Sequence, residues 1–438
     1  MLEMVDQNSK QVLVIGLGYV GLTLGVHLAK HGFIVYGVEI NKEILESCKK
    51  RKAPFYEPGL DSLLKDFMGS RFFVSEQVPE KEFDYILISV GTPLGSDKHP
   101  NLSYLEGALA SIRPFLKKKT HIILRSTVSV GTTRTYVAPL MKKQLGLKDE
   151  EILLSFCPER TVEGKALEEL STLPQLVASY NAKSYESARL FFSKISPTIY
   201  TCPSLEAAEL AKLFNNVYRD INFAVGNLFS RIAQSFGIDG NEMIDLANKG
   251  YDRSAIPRPG FVGGACLEKD AYILACNTNI EAEKLQIISH RQYNESLVAD
   301  LTDWIRSRIE KGGRLLMSGL AFKGKPKTSD IRGSLAVNLV QALEKDYDIT
   351  VHDFCATEKD LERIGKVKVL KNLSEENKPY DLFIILNNAD QYLELTPNEL
   401  KGIIEQGKTI VFDSWNVLSA TFRKDFKFFT LGNYRIHS

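Results

Sequence analysis

A chain of 438 residues is too long for one hydrophobic core, which rarely grows past ~250–300 residues, so two or three domains are expected. A formal net charge of +1 argues against a nucleic acid or an anionic membrane held by bulk charge, and 44% hydrophobic with 25% charged residues is ordinary for a soluble protein. No apolar run approaches the ~18 residues of a membrane span, and residues 1–10 are polar, unlike a secretory signal, so a cytoplasmic location is predicted.

The first predicted element is a dinucleotide site. An apolar strand from residue 10 runs into a glycine motif and a helical pattern, and in this setting the three glycines serve a tight turn, the approach of a pyrophosphate and close packing of helix on strand. A second strand ends at Glu39, where a carboxylate would hold ribose hydroxyls and repel a 2′-phosphate. NAD is therefore favoured over NADP, although Lys42 weakens that preference, and a tight turn without a ligand is the alternative. The motif is Gly16-Leu-Gly18-Tyr19-Val20-Gly21.

Further strand and helix patterns continue this domain, which predicts a parallel, doubly wound α/β sheet over residues 1–203. Three strands, near residues 85–90, 121–126 and 152–157, each end in polar residues. Ligands of open α/β sheets collect at the carboxyl ends of the strands, so these residues should share one crevice, although each alone could be a turn or cap residue. They are Thr92, Thr127, Glu159 and Glu163.

The middle of the chain, residues 204–309, predicts an all-helical domain with a long helix over residues 206–236. Four polar residues recur along one face of that helix, namely Glu209, Lys212, Asn216 and Asp220. Buried polar groups cost ~1–3 kcal/mol each unless they are paired, so a functional role for Lys212 in proton transfer or oxyanion stabilisation is one explanation. A salt bridge from Lys212 to Glu209 or Asp220 is the other.

A glycine-rich stretch, residues 258–270, follows a loop that carries Arg253 and Arg258. It contains Gly260, Phe261, Gly263 and Gly264 and then brings Cys266, Lys269 and Asp270 together at a predicted helix start. A cysteine before a helix N-terminus and beside a lysine has reason for a lowered pKa, which favours thiolate chemistry, and a small buried apolar residue is the alternative. The six cysteines form no C-x-x-C pair, so neither a metal site nor a disulfide framework is expected.

Residues 310–438 predict a second Rossmann-like sheet without the glycine fingerprint. Strands are expected at residues 314–320, 348–353, 382–387 and 409–413, with a helix at residues 333–345. The loop at residues 319–334 would accept phosphate or another acidic ligand, and a solvated basic loop is the alternative. Its four cations are Lys323, Lys325, Lys327 and Arg332.

Seven motifs in this order resemble the UDP-glucose/GDP-mannose dehydrogenase family over nearly the whole chain. They are GLGYVG at 16–21, VGTP at 90–93, RSTVSVG at 125–131, PERTVEG at 158–164, ELAKLFNN at 209–216, GFVGGACLEKD at 260–270 and GLAFKGKPKTSDIR at 319–332. The resemblance implies an NAD-binding first domain, a helical dimerisation domain and a last domain that holds the nucleotide-sugar. It also implies oxidation of the sugar C6 alcohol to a carboxylate in two NAD-dependent steps, within a homodimer or dimer-based oligomer.

The resemblance also implies roles for single residues. Cys266 matches the nucleophile that forms a thiohemiacetal and then a thioester. Lys212 and Asn216 match the pair that polarises the C6 oxygen. Asp270 and Thr127 match the groups that position water or base. Glu159 and Glu163 match acids of the same crevice. Cofactor contacts are expected from Gly16, Gly18, Tyr19, Val20, Gly21, Glu39, Thr92, Thr127, Glu163, Lys269 and Arg332. Substrate contacts are expected from Glu159, Arg160, Lys212, Asn216, Arg253, Arg258, Gly260, Phe261, Gly263, Phe322 and Lys323.

The sugar is the open point. The residues Arg160-Thr-Val-Glu163-Gly are more similar to the branch of the family that acts on UDP-N-acetylhexosamines, so UDP-N-acetylmannosamine is favoured, with UDP-glucose as the main alternative. Ser414-Trp415 stands where Gly-Arg is usual, which leaves one nucleotide-sugar contact in question. A single-hydride hydroxyacid dehydrogenase would have no use for Cys266, and a non-catalytic nucleotide-binding protein would not need four matched catalytic groups.

Overall fold

The computed structural model describes residues 9–436, so most of the polar segment at residues 1–10 lies outside the described residues. The chain forms two compact units. The first holds the residues up to Asn215 together with Tyr272–Asn279, and the second holds Asn216–Ala271 and the residues from Ile280 onward. In the described part of the chain, every helix is too short or too polar to cross a membrane. The bounds of the three domains expected from the sequence stay a prediction.

The first unit is built on a sheet whose described strands have the order β3-β2-β1-β4-β5-β6-β7-β8. Alternate residues of β1 point to opposite faces, with Val12 and Val14 in one apolar core and Leu13 and Ile15 in another, so helices cover both faces as a doubly wound sheet requires. The strands are β1 Gln11–Ile15, β2 Ile34–Val38, β3 Phe72–Ser75, β4 Tyr85–Ile88, β5 His121–Leu124, β6 Leu154–Phe156, β7 Gln175–Ser179 and β8 Ile199–Thr201. The helices are α1 Tyr19–Lys30, α2 Lys42–Lys49, α3 Leu60–Phe67, α4 Ser103–Ile112, α5 Ala138–Leu145, α6 Ala166–Thr172 and α7 Ala182–Phe192.

One strand pair corrects the expectation of a parallel sheet, because β6 and β7 run antiparallel. The connection between them contains only the 7-residue helix α6, which packs against α1. This connection does not carry the chain back to the amino end of β6, so β7 starts at the end of the sheet where β6 finishes. Among the other described pairs of this sheet, neighbouring strands are parallel.

Four helices occupy the middle of the chain, as predicted. The long helix α8 contributes its first turns to the first unit and the rest to the second, and it ends before Gly237, whose φ of +75° suits a residue without a Cβ. Asp239 caps the next helix by accepting a hydrogen bond from Asn241 N at 2.8 Å. The helices are α8 Leu205–Ser235, α9 Gly240–Asn248, α10 Leu267–Ala275 and α11 Glu281–Arg308.

The second unit contains the predicted second Rossmann-like sheet, with the described strands parallel in the order β11-β10-β9-β12-β13-β14. Alternate β9 residues again serve two cores, since Leu315 and Met317 lie in one and Leu316 in the other. The strands at residues 427–430 and 368–369 and three short helices were not predicted. The strands are β9 Arg314–Ser318, β10 Asp348–His352, β11 Lys368–Val369, β12 Leu382–Ile385, β13 Ile410–Asp413 and β14 Lys427–Thr430. The helices are α12 Leu335–Leu343, α13 Glu358–Glu362, α14 Gln391–Glu394 and α15 Ala420–Asp425.

Candidate active site

The glycine motif of the first unit forms the tight turn between β1 and α1. Gly16 has a φ of +88°, and a Cβ at Gly21 would lie 1.8 Å from the Gly16 carbonyl oxygen, so neither position accepts a side chain. A Cβ at Gly18, in contrast, would have nothing within 4 Å. Two glycines therefore build the turn, and the third leaves its backbone open to an approaching ligand.

Glu39 lies beside this turn, directly after β2. One carboxylate oxygen accepts a hydrogen bond from Leu17 N at 2.7 Å, and the other accepts one from Asn41 N at 2.9 Å. Helix α1 begins at Tyr19, and its first turn contains no acidic residue. The positive end of the helix dipole can therefore attract a phosphate without repulsion from a carboxylate in that turn. The open turn, the helix end and the acid together fit a dinucleotide such as NAD.

The predicted crevice residues Thr92 and Thr127 do come together. They follow the neighbouring strands β4 and β5, and the buried Thr92 hydroxyl donates a hydrogen bond to the Thr127 carbonyl oxygen at 2.6 Å. The Thr127 and Glu163 side chains are half-buried. The edge of the sheet that the sequence indicated therefore presents polar side chains from at least two strands.

Glu159 is held by a partner that the sequence did not reveal. Its carboxylate forms a buried ion pair with the Arg125 guanidinium and accepts hydrogen bonds from Arg160 N at 2.7 Å and Thr161 N at 2.8 Å. Burial raises the pKa of Glu159, but Arg125 and the two amides outweigh it, so the pKa lies below its ordinary value. Proton transfer by Glu159 would require breaking these bonds, and its catalytic role stays a prediction.

The polar face of α8 has a structural explanation at two of its four positions. In the first unit, Glu209 accepts hydrogen bonds from Gly131 N at 2.5 Å, Thr133 N at 3.0 Å and the Thr133 hydroxyl at 2.6 Å. In the second unit, Asp220 forms a 2.8 Å ion pair with Arg291. Both carboxylates are committed to other groups, which removes the salt bridge considered for Lys212. Lys212 itself is half-buried, less than expected.

The second unit brings Asn216 of α8 to three predicted residues at the start of α10. Cys266 is exposed and directly precedes this helix, while the Asp270 side chain is buried beneath it. The Asp270 carboxylate accepts a hydrogen bond from the Asn216 amide at 2.6 Å and pairs with the Lys269 ammonium at 2.7 Å. Burial lowers the pKa of Lys269, but Asp270 and Cys266 raise it by more, so the pKa lies above its ordinary value and the ammonium remains charged.

The glycines before Cys266 are needed because the C-terminal residues pack directly on them. A Cβ at Gly260 would lie 2.6 Å from the Trp415 ring, and one at Gly263 would lie 2.3 Å from the Gly333 carbonyl oxygen. Gly264 has a φ of +105°, donates a hydrogen bond to Gly333 O at 2.7 Å and would bring a Cβ within 2.6 Å of the Phe322 ring. Trp415, which stands where a nucleotide-sugar contact is usual, therefore serves here to support the loop.

Comparison with known proteins assigns the three parts of the chain to one protein family. Models of three domains of one family match in order: the NAD binding domain over residues 10–196, the central domain over 206–296 and the UDP binding domain over 316–420 of the UDP-glucose/GDP-mannose dehydrogenase family. The chain belongs to this family. The protein is therefore an NAD-dependent dehydrogenase of UDP-sugars.

Relatives within the family carry related names. A UDP-N-acetyl-D-mannosamine dehydrogenase from Methanocaldococcus jannaschii is 32% identical over 98% of both chains. Among solved structures, the UDP-N-acetyl-mannosamine dehydrogenase Cap5O from Staphylococcus aureus is 28% identical, with a TM-score of 0.84 over 98% of this chain and 100% of that one. A UDP-D-ManNAc dehydrogenase from Pyrococcus horikoshii is 26% identical, with a TM-score of 0.84 over 97% and 100%.

Several residues expected to bind substrate in this dehydrogenase already have protein partners. Arg258 forms a bidentate pair with Asp245, at 2.9 and 2.6 Å, and Arg253 lies over the Tyr251 ring at 4.8 Å. The Arg160 guanidinium donates to the Pro174 carbonyl oxygen. Their roles in substrate binding stay predictions. For Arg258, the exposed ion pair with Asp245 is weak enough to rearrange around a ligand.

Three more predicted residues, Arg332, Lys323 and Phe261, also contact other parts of the second unit. Arg332 pairs with Asp330 at 2.7 Å while remaining 62% exposed, and Lys323 lies 5.4 Å from the centre of the Phe322 ring. Phe261 is 3% exposed and lies in the apolar core of the second unit. Its contact with the substrate stays a prediction.

Proposed function

We propose that this dehydrogenase oxidises the C6 hydroxyl of a UDP-N-acetylhexosamine, with UDP-N-acetylmannosamine favoured, to the uronic acid in two NAD-dependent steps. The observation that carries the proposal is the exposed Cys266 thiol directly before α10, beside the ion pair of the half-buried Lys269 and the buried Asp270. A single-hydride dehydrogenase has no use for such a thiol. A four-electron oxidation needs one, because an aldehyde can lose a second hydride only after a nucleophile has added to it.

In the first step, the C6 alcohol loses a proton and a hydride and becomes an aldehyde. Bound NAD supplies the hydride acceptor in each of the two oxidations, held by the glycine turn and Glu39. Lys212 and Asn216 polarise the C6 oxygen by donating hydrogen bonds to it. Asn216 can do so while holding Asp270, since that contact uses only one of its two amide hydrogens.

In the second step, the Cys266 sulfur forms a bond to C6, and the aldehyde oxygen takes up a proton to give a thiohemiacetal. This adduct loses a hydride and a proton to give a thioester, and water then breaks the carbon–sulfur bond and releases the carboxylate and the thiol. One alcohol, two NAD⁺ and one water thus give one carboxylate, two NADH and three protons. Asp270 positions the water, and the two donors on Asp270 fix its carboxylate for that purpose.

The choice of sugar rests on the residues Arg160 to Gly164 and on the names of the relatives. Overall fold does not discriminate between sugars, because a UDP-glucose dehydrogenase from Pyrobaculum islandicum has a TM-score of 0.83 at 24% identity. We expect faster NADH formation with UDP-N-acetylmannosamine than with UDP-N-acetylglucosamine or UDP-glucose, and two NADH per sugar. Equal or faster turnover of UDP-glucose would reject the sugar, and one NADH with a stable carbonyl product would reject the mechanism.

A homodimer, or an oligomer built from dimers, is also part of this proposal. In the second unit α8 presents an exposed apolar face that includes Tyr218, Phe229 and Ile232, at 68%, 42% and 48% exposure, and Phe236, directly after α8, is 77% exposed. Residues at this spacing lie on one side of a helix, and so large an apolar surface is unusual on a monomer. Sedimentation should give a dimer for the unchanged protein and a monomer for Ile232→Glu. A monomeric unchanged protein would reject this part.

A further inference from the structure

Four buried polar side chains connect α8 and α11 behind the glycine loop. They are Asp220 and Asn227 on α8 and Arg291 and Asn294 on α11, each at most 1% exposed. We call this set the loop anchor. The residues lie outside the motifs that indicated the family, and the chemistry proposed above uses none of them.

The loop anchor holds the loop by its backbone. The Asn227 side-chain oxygen accepts a hydrogen bond from Gly260 N at 2.9 Å, and the Asn227 amide donates to Gly260 O at 3.2 Å. The Arg291 guanidinium donates to the Val262 carbonyl oxygen at 3.3 Å. Two residues within the six that precede Cys266 are thus fixed from the side of the helices.

The members of the loop anchor also hold one another. Asn227 donates to the Asn294 side-chain oxygen at 2.9 Å, and Asn294 donates to the Asp220 carboxylate at 2.9 Å and to its backbone carbonyl at 3.0 Å. Arg291 completes the network through its 2.8 Å pair with Asp220. The Asn227 amide therefore has one orientation, and Gly260 is bound by a side chain that cannot turn away.

Stability alone explains this network poorly. Replacing a buried ion pair by apolar residues of similar volume is often neutral or stabilising, so such a pair is weak evidence for a stabilising role. The loop also contains three glycines, two of them adjacent, whose own conformational preferences are broad. An external support is what gives such a segment one conformation.

We infer that the loop anchor positions Cys266 for attack on the aldehyde, with Asn227 as its central residue. This inference rests on the proposed role of Cys266 as the nucleophile. Asn227 acts through the backbone of Gly260 and touches neither substrate nor thiol, so it is a positioning residue. Its loss should slow capture of the aldehyde more than it weakens substrate binding, because a displacement of about 1 Å can cost on the order of 100-fold in rate.

The test compares Asn227→Ala with Gln234→Ala. Gln234 lies seven residues further along α8, is also buried, and bonds to the backbone of Leu431 and Arg435 instead of the loop. We expect the two variants to lose similar thermal stability. Asn227→Ala alone should lose on the order of 10- to 100-fold in the second oxidation with less than a threefold change in KM for the UDP-sugar, and should release aldehyde, so that NADH per sugar falls from two toward one.

A second readout does not depend on turnover. Iodoacetamide labelling of each cysteine, followed by mass spectrometry, compares Cys266 with Cys276, which is also exposed and serves as a reference in the same sample. Labelling of Cys266 relative to Cys276 should fall in Asn227→Ala and stay unchanged in Gln234→Ala. Arg291→Lys keeps the charge opposite Asp220. It should lower the rate of the second oxidation and the labelling of Cys266, as Asn227→Ala does, but by a smaller factor. It is the test variant if Asn227→Ala fails to fold.

The outcomes separate this inference from the proposed function. If Cys266→Ala still forms two NADH per sugar, the nucleophile assignment fails and the inference fails with it. If Cys266→Ala stops at one NADH while Asn227→Ala and Arg291→Lys behave like Gln234→Ala in both readouts, only the loop anchor is rejected. A rise in KM without a fall in the second oxidation would also reject it.

Discussion

The Asn216 amide lies 2.6 Å from the Asp270 carboxylate, and both side chains are buried. On its other oxygen Asp270 meets the Lys269 ammonium at 2.7 Å. This carboxylate is thus fixed by one neutral and one charged donor, which gives it a defined orientation toward the start of α10. A group held in this way is suited to orient a water molecule.

Asp270→Asn should stall the enzyme after the second oxidation. The substitution preserves shape, but it removes the acceptor for a proton of the attacking water and leaves Lys269 without its counter-charge. We expect kcat to fall about 10²- to 10⁴-fold, the usual contribution of general acid–base catalysis, and the thioester on Cys266 to accumulate, detected by intact-protein mass spectrometry. Asp346→Asn, which affects a more exposed pair with Arg306, is the control and should keep normal turnover. A normal kcat in Asp270→Asn would contradict the assignment.

Cys266→Ser should still capture the aldehyde and then stop before hydrolysis. A serine oxygen forms an ester that is harder to hydrolyse than a thioester, so a single turnover should leave the sugar bound to the protein. Rapid-mixing measurement of NADH and peptide mapping of the adduct check this result. Steady turnover with two NADH per sugar would show that the thiol is not the nucleophile.

Gly18→Ala should separate cofactor binding from folding. A Cβ at Gly18 meets nothing within 4 Å, and its φ of −67° is normal for alanine, so the thermal midpoint should stay unchanged. NAD should nevertheless bind at least about tenfold more weakly, equal to ~1.4 kcal/mol, because the added methyl group occupies the place expected for the pyrophosphate. Gly107→Ala, also unobstructed but exposed on α4, should change neither titration calorimetry nor melting. Unchanged NAD affinity in Gly18→Ala would exclude this turn as the phosphate site.

Arg125→Met should destabilise the protein in a manner that depends on pH. In the unchanged protein the pKa of Glu159 is lowered, so its contribution to stability is present above pH ~4.5 and is lost as the pH falls through the folded-state value. Without Arg125, only the amides of Arg160 and Thr161 oppose the effect of burial, so the pKa of Glu159 rises. The cost of the substitution is then greatest at high pH and is relieved as the pH falls. Denaturant unfolding should show a loss of about 3–5 kcal/mol at pH 7 and a smaller loss at pH 5.

The matched control for this prediction is Arg189→Met. Arg189 pairs with Glu186 on the surface of the same unit, where removal of an ion pair costs about 0–1 kcal/mol. A loss for Arg125→Met that is equal at both pH values would show that Glu159 does not depend on Arg125 for its charge.

Several features of the fold and of the candidate site could be predicted from local sequence pattern. The long helix predicted over residues 206–236 is present as Leu205–Ser235. The glycine turn, Glu39 and the closeness of Thr92 and Thr127 follow from the rule that ligand sites form at the carboxyl ends of strands. Each of these features depends on residues close in sequence or on neighbouring strands. They could therefore be predicted without knowledge of the tertiary contacts.

The features that were missed depend on partners far apart in the chain. Arg125 and Glu159 are 34 residues apart, and Asp220 and Arg291 are 71 apart, so no helical or strand period indicates either pair. The antiparallel direction of β7 depends on the path of its connection, which composition does not specify. The polar face of α8 was recognised, but its separate partners required the fold.

Helix α8 does not tolerate an inserted or deleted residue, because several of its side chains bind other segments at fixed spacings. Within the second unit, Asn216, Asp220, Asn227 and Gln234 follow one another at intervals of four, seven and seven residues, and together they reach Asp270, Arg291, the glycine loop and the C-terminal segment. One inserted residue after Asn216 would turn the later three by about 100° away from their partners. Changes of loop length elsewhere are compatible with this arrangement, whereas a single insertion in α8 would break all later contacts at once.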